Sequence, residues 1–256
     1  MSSSGVTVER LAEGAVWRVR LATPRANILD EAKVGELRRL LASARSENDV
    51  KAILLEGEGE HFSFGASVEE HLPGRVESMI RAFHGLVREL VAGDVVWLAA
   101  VRGQCLGGAL ELVSVCHRVF ATPEARLGQP EIALAVFPPV ASVVLAERVG
   151  RGAAEGLCLS GESVSGREAA RIGLVDELAE DPPEAALAWA RRCLLPRSAA
   201  ALRLAVRAVR APLARRIDED LRTVERLYLE ELMATRDAVE GLEAFLEKRP
   251  PSWEDR

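Results

Sequence analysis

Glu111 and Glu131 stand twenty residues apart, each beside a tight backbone turn. The first closes the run Gly103-Gln104-Cys105-Leu106-Gly107-Gly108-Ala109-Leu110-Glu111, the second the run Leu127-Gly128-Gln129-Pro130-Glu131. A Gly-Gly pair opening an apolar helix offers backbone N–H groups that an oxygen anion can approach closely, because no Cβ stands in the way. Two carboxylates facing that point can hold one water molecule and activate it. The chemistry this combination suggests is water chemistry on a polarised carbonyl compound. Glu111 falls in the first turn of its helix, where the positive end of the dipole favours an anion.

Positioning these groups requires a frame of strands and helices. Val16 to Leu21 alternates apolar and charged residues, as a half-buried strand does. Asp30 leads into a helix with an apolar stripe at Val34, Leu37, Leu40, Leu41 and Ala44. Ala52 to Leu55 is a short buried strand ending at Gly57, and a helix runs from about Glu77 to Val91. Val95 to Val101 is another buried strand, after which Gly107-Gly108 starts the helix of Glu111. This alternation to about residue 180 predicts an α/β core over residues 1–183. From Glu184 to residue 256 the chain is rich in Ala, Leu, Arg and Glu, which predicts a helical C-terminal region that packs on the core or on another subunit.

The 256 residues and 48% hydrophobic content allow a sizeable buried core and exclude global disorder. A net charge of −6 argues against broad nucleic-acid binding. The four cysteines, Cys105, Cys116, Cys158 and Cys193, form no C-x-x-C pair and read as reduced, buried thiols. Residues 1–5 lack a basic segment leading into an apolar one, and Val95 to Val101 is too short to span a bilayer. A cytoplasmic protein with no membrane partner is the expectation.

Five segments, in order, resemble the crotonase (enoyl-CoA hydratase/isomerase) superfamily. They are Pro24-Arg25-Ala26-Asn27, Phe64-Gly65-Ala66-Ser67, Gly103 through Glu111, Gly128-Gln129-Pro130-Glu131 and Phe245-Leu246-Glu247-Lys248-Arg249. The likeness narrows at His61 to Pro73, at Arg102 to Gly108 and at Tyr228 to Ala234, which look like the cyclohexa-1,5-dienecarbonyl-CoA hydratases of anaerobic benzoyl-CoA degradation. Two departures from the wider superfamily accompany it. Ser67 replaces the usual Asp, and Phe137-Pro138-Pro139-Val140-Ala141-Ser142 replaces a Gly-rich turn, so the acyl pocket is expected to be reshaped.

The resemblance implies a spiral of repeated β-β-α units with a helical C-terminal oligomerisation region, assembled as a homotrimer or homohexamer. It implies an oxyanion hole of the Ala66 and Gly108 N–H groups, with Glu111 holding the water and taking its proton while Glu131 exchanges the proton at carbon. Arg25 and Ala26 would line the CoA path, and Lys248 would meet its phosphates. Phe137, Pro138 and Pro139 would shape the acyl pocket. CoA would belong to the substrate, with no separate cofactor. Taken singly, Glu111 reads as a helix-start carboxylate and Glu131 as a surface-turn one. The Gly107-Gly108 pair and the ordered matches elsewhere favour the catalytic reading of both.

The expected reaction is hydration of cyclohexa-1,5-diene-1-carbonyl-CoA to 6-hydroxycyclohex-1-ene-1-carbonyl-CoA. The alternatives are a hydratase for linear 2-enoyl-CoA and a non-enzymatic RNA- or partner-binding protein on the same fold. Gly103-x-x-x-Gly107 is neither a P-loop nor a dinucleotide fingerprint. His61, His71, His84 and His117 lack ligand spacing and read as structural or surface residues, although His61 or His71 could line the pocket, and no metal site is expected. Ser63, Ser67 and Ser142 sit in no nucleophile elbow.

Overall fold

In the computed structural model, which describes residues 5–23 and 26–256, the chain shuttles repeatedly between two sheets. It opens with the antiparallel hairpin β1 (Val6–Leu11) and β2 (Val16–Leu21). Helix α1 (Glu31–Ser46), β3 (Ala52–Gly57) and α2 (Val76–Val91) follow. Then β4 (Val96–Val101) leads into β5 (Gln104–Leu106) and α3 (Gly108–Ser114). The pattern recurs in β6 (Arg118–Ala121), β7 (Arg126–Gly128), α4 (Pro139–Val149) and α5 (Arg151–Ser160). After these come β8 (Ser163–Ser165), α6 (Gly166–Arg171), β9 (Glu177–Leu178) and α7 (Pro182–Cys193). The last helices are α8 (Ala199–Arg226) and α9 (Arg236–Glu247), separated by a π-helical stretch over Leu227–Glu231 and a 3-10 turn over Leu232–Ala234.

The larger sheet has the order β1-β2-β3-β4-β6-β9, parallel from β2 onward, and the smaller has the order β5-β7-β8. Because β4 and β6 lie in the first sheet and β5 and β7 in the second, each turn of chain adds a strand to both before its helix. A parallel bridge between Ser63 and Cys105 extends the smaller sheet with the segment after β3. This is the expected β-β-α spiral.

The central strands are buried on both faces, which is why β3 and β4 read as unbroken apolar runs. One face meets the main core, where Leu55, Trp97 and Ala99 pack with Leu110 and Leu127. Helix α7 covers the other, setting Ala186, Leu187 and Ala190 against Leu54, Leu98 and Phe120. Strand β1 was not among the expected elements, and its burial explains why. Only Val6 is fully buried along it, so period-2 alternation has nothing to record. The three-residue strands β5, β7 and β8 are too short to carry any period. Among the described residues, no helix is long and apolar enough to cross a membrane. Cys105 and Cys116 are buried free thiols, but Cys158 and Cys193 are only half-buried, which corrects the expectation for those two.

Candidate functional site

The segment carrying Ala66 has no regular structure of its own and is held by its neighbours. Asn27, buried with φ 48°, does much of this. Its Oδ1 accepts from Thr23 N–H at 3.0 Å, and its Nδ2 donates to the carbonyls of Glu58, His61 and Phe62 at 3.0, 3.0 and 3.1 Å. The backbones are then laced together by Phe64 N–H to Ala26 O, Leu29 N–H to Gly65 O and Ser67 N–H to Leu29 O. Gly65 takes φ +100°, and a Cβ there would stand 2.7 Å from Leu106 O, so a larger residue would push the Ala66 segment off the smaller sheet.

Gly107 and Gly108 face this segment. Gly107 caps α3 at φ 54° and ψ −130°, a conformation that disfavours any side chain, while its N–H donates to Gly128 O and its O accepts from Glu111 N–H. A Cβ on Gly108 would touch Ala66 Cβ at 3.3 Å and Ala66 N at 3.4 Å, so the two predicted amides lie side by side. The Gly108 N–H begins a helix and has no partner within it. The described backbone hydrogen bonds assign no acceptor to it or to the Ala66 N–H.

Both carboxylates point into the same cavity. Glu111 is 4% exposed, and its Oε1 accepts from Ala141 N–H at 2.9 Å. Burial outweighs the helix dipole and pushes its carboxyl up to about 7, against the opposing backbone donors Ala141 and Val140. Glu131, on the 3-10 turn Pro130–Leu134, is driven well above the usual carboxylate range by burial and then by the charge of Glu111. The buried Gln129 amide, oriented so that its nitrogen faces Glu131, donates to both carboxylate oxygens at 3.1 Å and to Gly107 O at 3.3 Å. A Cβ on Gly107 would lie 2.8 Å from Glu131 Oε1. Gly107→Ala is therefore expected to cost about 1–3 kcal/mol of stability through backbone strain. It should also cut kcat at least about tenfold by displacing that carboxylate. Thermal melts and steady-state kinetics on the purified variant check both.

The cavity holds about 580 Å³ and is mostly apolar, a size suited to a small-molecule acyl group. Ala66, Gly108, Glu111, Glu131, Phe137 and Pro139 all line it, so the structure brings these six predicted residues together. Pro138 does not line it. It is buried at the N-cap of α4, and its carbonyl accepts from the Ser142 N–H and hydroxyl. Ala26 and Lys248 also lie outside the lining. Ala26 holds Phe64 through its carbonyl, and Lys248 is an exposed residue ending α9 at φ 55°. Phe245 and Leu246, just before Lys248, do reach the cavity. Arg25 lies outside the described residues.

Sequence reasoning missed several lining or supporting groups, among them His84, Tyr228 and Gln129. His84 lines the cavity with its Nδ1 2.7 Å from Glu225 Oε1, and Glu225 also accepts from Arg88. Tyr228 lines it from the π-helical stretch after α8. Gln129 supports Glu131 from behind. Of the two histidines flanking the Ala66 segment, His71 lines the cavity, its ring bonding Ser67 O at 2.7 Å, and His61 does not. Only the two-residue spacing of Gln129 from Glu131 offered a signal. The contacts of His84 and Tyr228 come from segments far away in sequence.

With this geometry in view, the chain can be compared with known proteins. Residues 12–256 match the family model described as enoyl-CoA hydratase/isomerase. The chain is 51% identical over 255 residues to a cyclohexa-1,5-dienecarbonyl-CoA hydratase of Thauera aromatica, covering 100% of this chain and 99% of that one. It is 34% identical over 240 residues to a probable enoyl-CoA hydratase of Bacillus subtilis (strain 168), covering 90% and 92%. Among solved structures, an enoyl-CoA hydratase/isomerase from Xanthobacter autotrophicus Py2 superposes with a TM-score of 0.86 at 27% identity, covering 95% of this chain and 93% of that one. A full-length match of this kind, on a fold that sets two carboxylates in one cavity beside a pair of neighbouring amides, leaves one assignment: the chain belongs to the enoyl-CoA hydratase/isomerase family.

Proposed function

We propose that this protein is a hydro-lyase that adds water to cyclohexa-1,5-diene-1-carbonyl-CoA, giving 6-hydroxycyclohex-1-ene-1-carbonyl-CoA. The observation that carries the reading is the pair Glu111 and Glu131, which line one cavity beside the Ala66 and Gly108 amides with both carboxyls raised by burial. The 51% identity to the Thauera aromatica hydratase supports the ring substrate over a linear one. Phe137 and Pro139, in place of a Gly-rich turn, line the cavity and give it an apolar wall suited to a ring.

Burial raises both carboxyls, and the charge of Glu111 raises Glu131 further, so the pair keeps a proton near neutral pH. Glu111, whose Oε1 accepts from Ala141 N–H, is the anion that serves as base, and Glu131 is the acid. The pair shares its protons, so these roles describe the working microstate. The thioester oxygen sits between the Ala66 and Gly108 N–H groups. Glu111 takes a proton from water as its oxygen bonds to the ring β-carbon, and the electron pair moves through the carbonyl to that oxygen. The resulting dienolate extends over the second double bond, whose far carbon stands across the ring from the new C–O bond. Glu131 delivers its proton there, and the double bond settles between the α-carbon and the ring carbon between. One water is added, and the proton gained by Glu111 offsets the one lost by Glu131. Each oxyanion donor contributes about 3 kcal/mol to lowering the barrier.

The arrangement leaves CoA as part of the substrate and uses no second cofactor in any of these steps. Incubation with cyclohexa-1,5-diene-1-carbonyl-CoA and crotonyl-CoA in parallel, followed by mass for the gain of one water, tests the reading. Selective conversion of the ring substrate is expected. Preference for crotonyl-CoA would replace it with a linear 2-enoyl-CoA hydratase.

A further inference from the structure

One residue lining the cavity carries a buried polar atom with nothing to bind. Tyr228 is the chain's single tyrosine and is 1% exposed, and its hydroxyl has no hydrogen-bond partner among the described residues. Buried phenols ordinarily find one. The ring is held in place by an edge-to-face contact with Phe137, their centroids 5.1 Å apart, and by Met79, Ile80, Val136 and Leu242 around it. It is presented by the π-helical stretch Leu227–Glu231, and such widened turns recur at functional sites.

The chemistry of the ring substrate supplies the missing partner. Besides the thioester group, the hydrated acyl group has a single oxygen, on the ring carbon attacked by water. The Ala66 and Gly108 amides serve the thioester oxygen. Glu111 leaves the step protonated, and when that proton returns to Glu131 it can only accept from the ring O–H, so the lone pairs of that ring oxygen then need a donor. Tyr228 lines the same cavity as Glu111 and Glu131 and carries a donor to spare. We propose that Tyr228 is a specificity-determining residue whose phenol O–H donates a hydrogen bond to the oxygen on the ring of the hydrated thioester. Burial, then Glu131 and Glu111, hold the phenol far above its ordinary range, so it stays a neutral donor and does not compete with Glu131 as the acid.

This inference rests on the hydratase reading above, and its test separates the two. In a Glu131→Gln background, where neither ligand turns over, binding of 6-hydroxycyclohex-1-ene-1-carbonyl-CoA and of its deoxy counterpart, cyclohex-1-ene-1-carbonyl-CoA, is measured by calorimetry. The hydroxylated ligand should bind about tenfold more tightly. Adding Tyr228→Phe should bring the two affinities within about twofold, with an unchanged or higher Tm because the lost hydroxyl has no protein partner. Tyr228→Met, which keeps an apolar filling, should lose the preference in the same way. Retention of the preference in both variants, or its absence with Tyr228 intact, overturns the proposal. If the protein with Glu131 and Tyr228 intact hydrates the ring diene while the preference survives Tyr228→Phe, only this inference falls. If that protein does not hydrate the ring diene, the hydratase reading falls and takes this inference with it.

Discussion

Glu131→Gln is expected to lower kcat for the cyclic dienoyl thioester about 10³-fold, the usual scale for losing a positioned general acid. Binding should change little, because glutamine keeps the shape and the amide of Gln129 still has an oxygen to donate to. The effect should be severe because the proton is delivered inside a mostly apolar cavity. Glu111 is needed as the base, and the Tyr228 phenol is held too firmly neutral. Single-turnover rates with saturating substrate, alongside calorimetric affinity for the thioester, separate chemistry from binding. Turnover within tenfold of the unsubstituted enzyme would remove Glu131 from the role of proton donor.

Glu111→Gln should stabilise the protein at alkaline pH while abolishing most of its activity. The sign follows from linkage. The Glu111 carboxyl moves from its ordinary value of 4.5 to about 7 on folding. Between those values the folded state binds more protons than the unfolded one, so stability falls as pH rises through the window. Above pH 7 the full penalty is present, about 3 kcal/mol for a shift of this size. Removing the charge recovers it. The variant's Tm should exceed that of the unsubstituted protein by roughly 6–12 °C at pH 8.5 for a chain of this length, and the gap should close towards pH 4.5. Relief of Glu131, whose carboxyl is raised in part by Glu111, adds to the gain. Melts across pH at fixed protein concentration decide the matter, and a gap independent of pH would mean that Glu111 is not strained by burial. A stability–function conflict of this kind marks a residue kept for chemistry.

The parts of the fold that were legible in advance are those where burial is uniform or periodic along one segment. Strands β2, β3 and β4 and helices α1 and α2 each carry enough apolar pattern to announce themselves, and Asp30 accepts from Lys33 N–H at 2.8 Å at the start of α1. Strand β1 escaped because only Val6 along it is buried, and the short strands of the smaller sheet because three residues carry no period and their partners lie far away in sequence. Helix α7 continues an alanine-rich stretch whose sequence predicts a helix but not the face it covers. That Ala186, Leu187 and Ala190 close the outer face of the larger sheet is a matter of tertiary packing.

The candidate site divides along the same line. Glycine at 107 and 108, small residues at 65 and 66, and carboxylates at 111 and 131 are local facts, since backbone φ, Cβ clearance and side-chain chemistry belong to single residues. The sequence by itself therefore determined which groups are available and which family pattern they follow. It did not determine their protonation, because a carboxyl pKa depends on how many apolar groups from other segments surround it. Nor did it single out Asn27 as the clamp on the Ala66 segment, Gln129 as the support of Glu131, or Tyr228 as an unpaired donor. Asn27 reaches residues 58–62, and Tyr228 meets Phe137 across about ninety residues of chain. Only the tertiary structure brings them together, because burial, electrostatic coupling and hydrogen-bond satisfaction depend on distances in space, which spacing along the chain does not set.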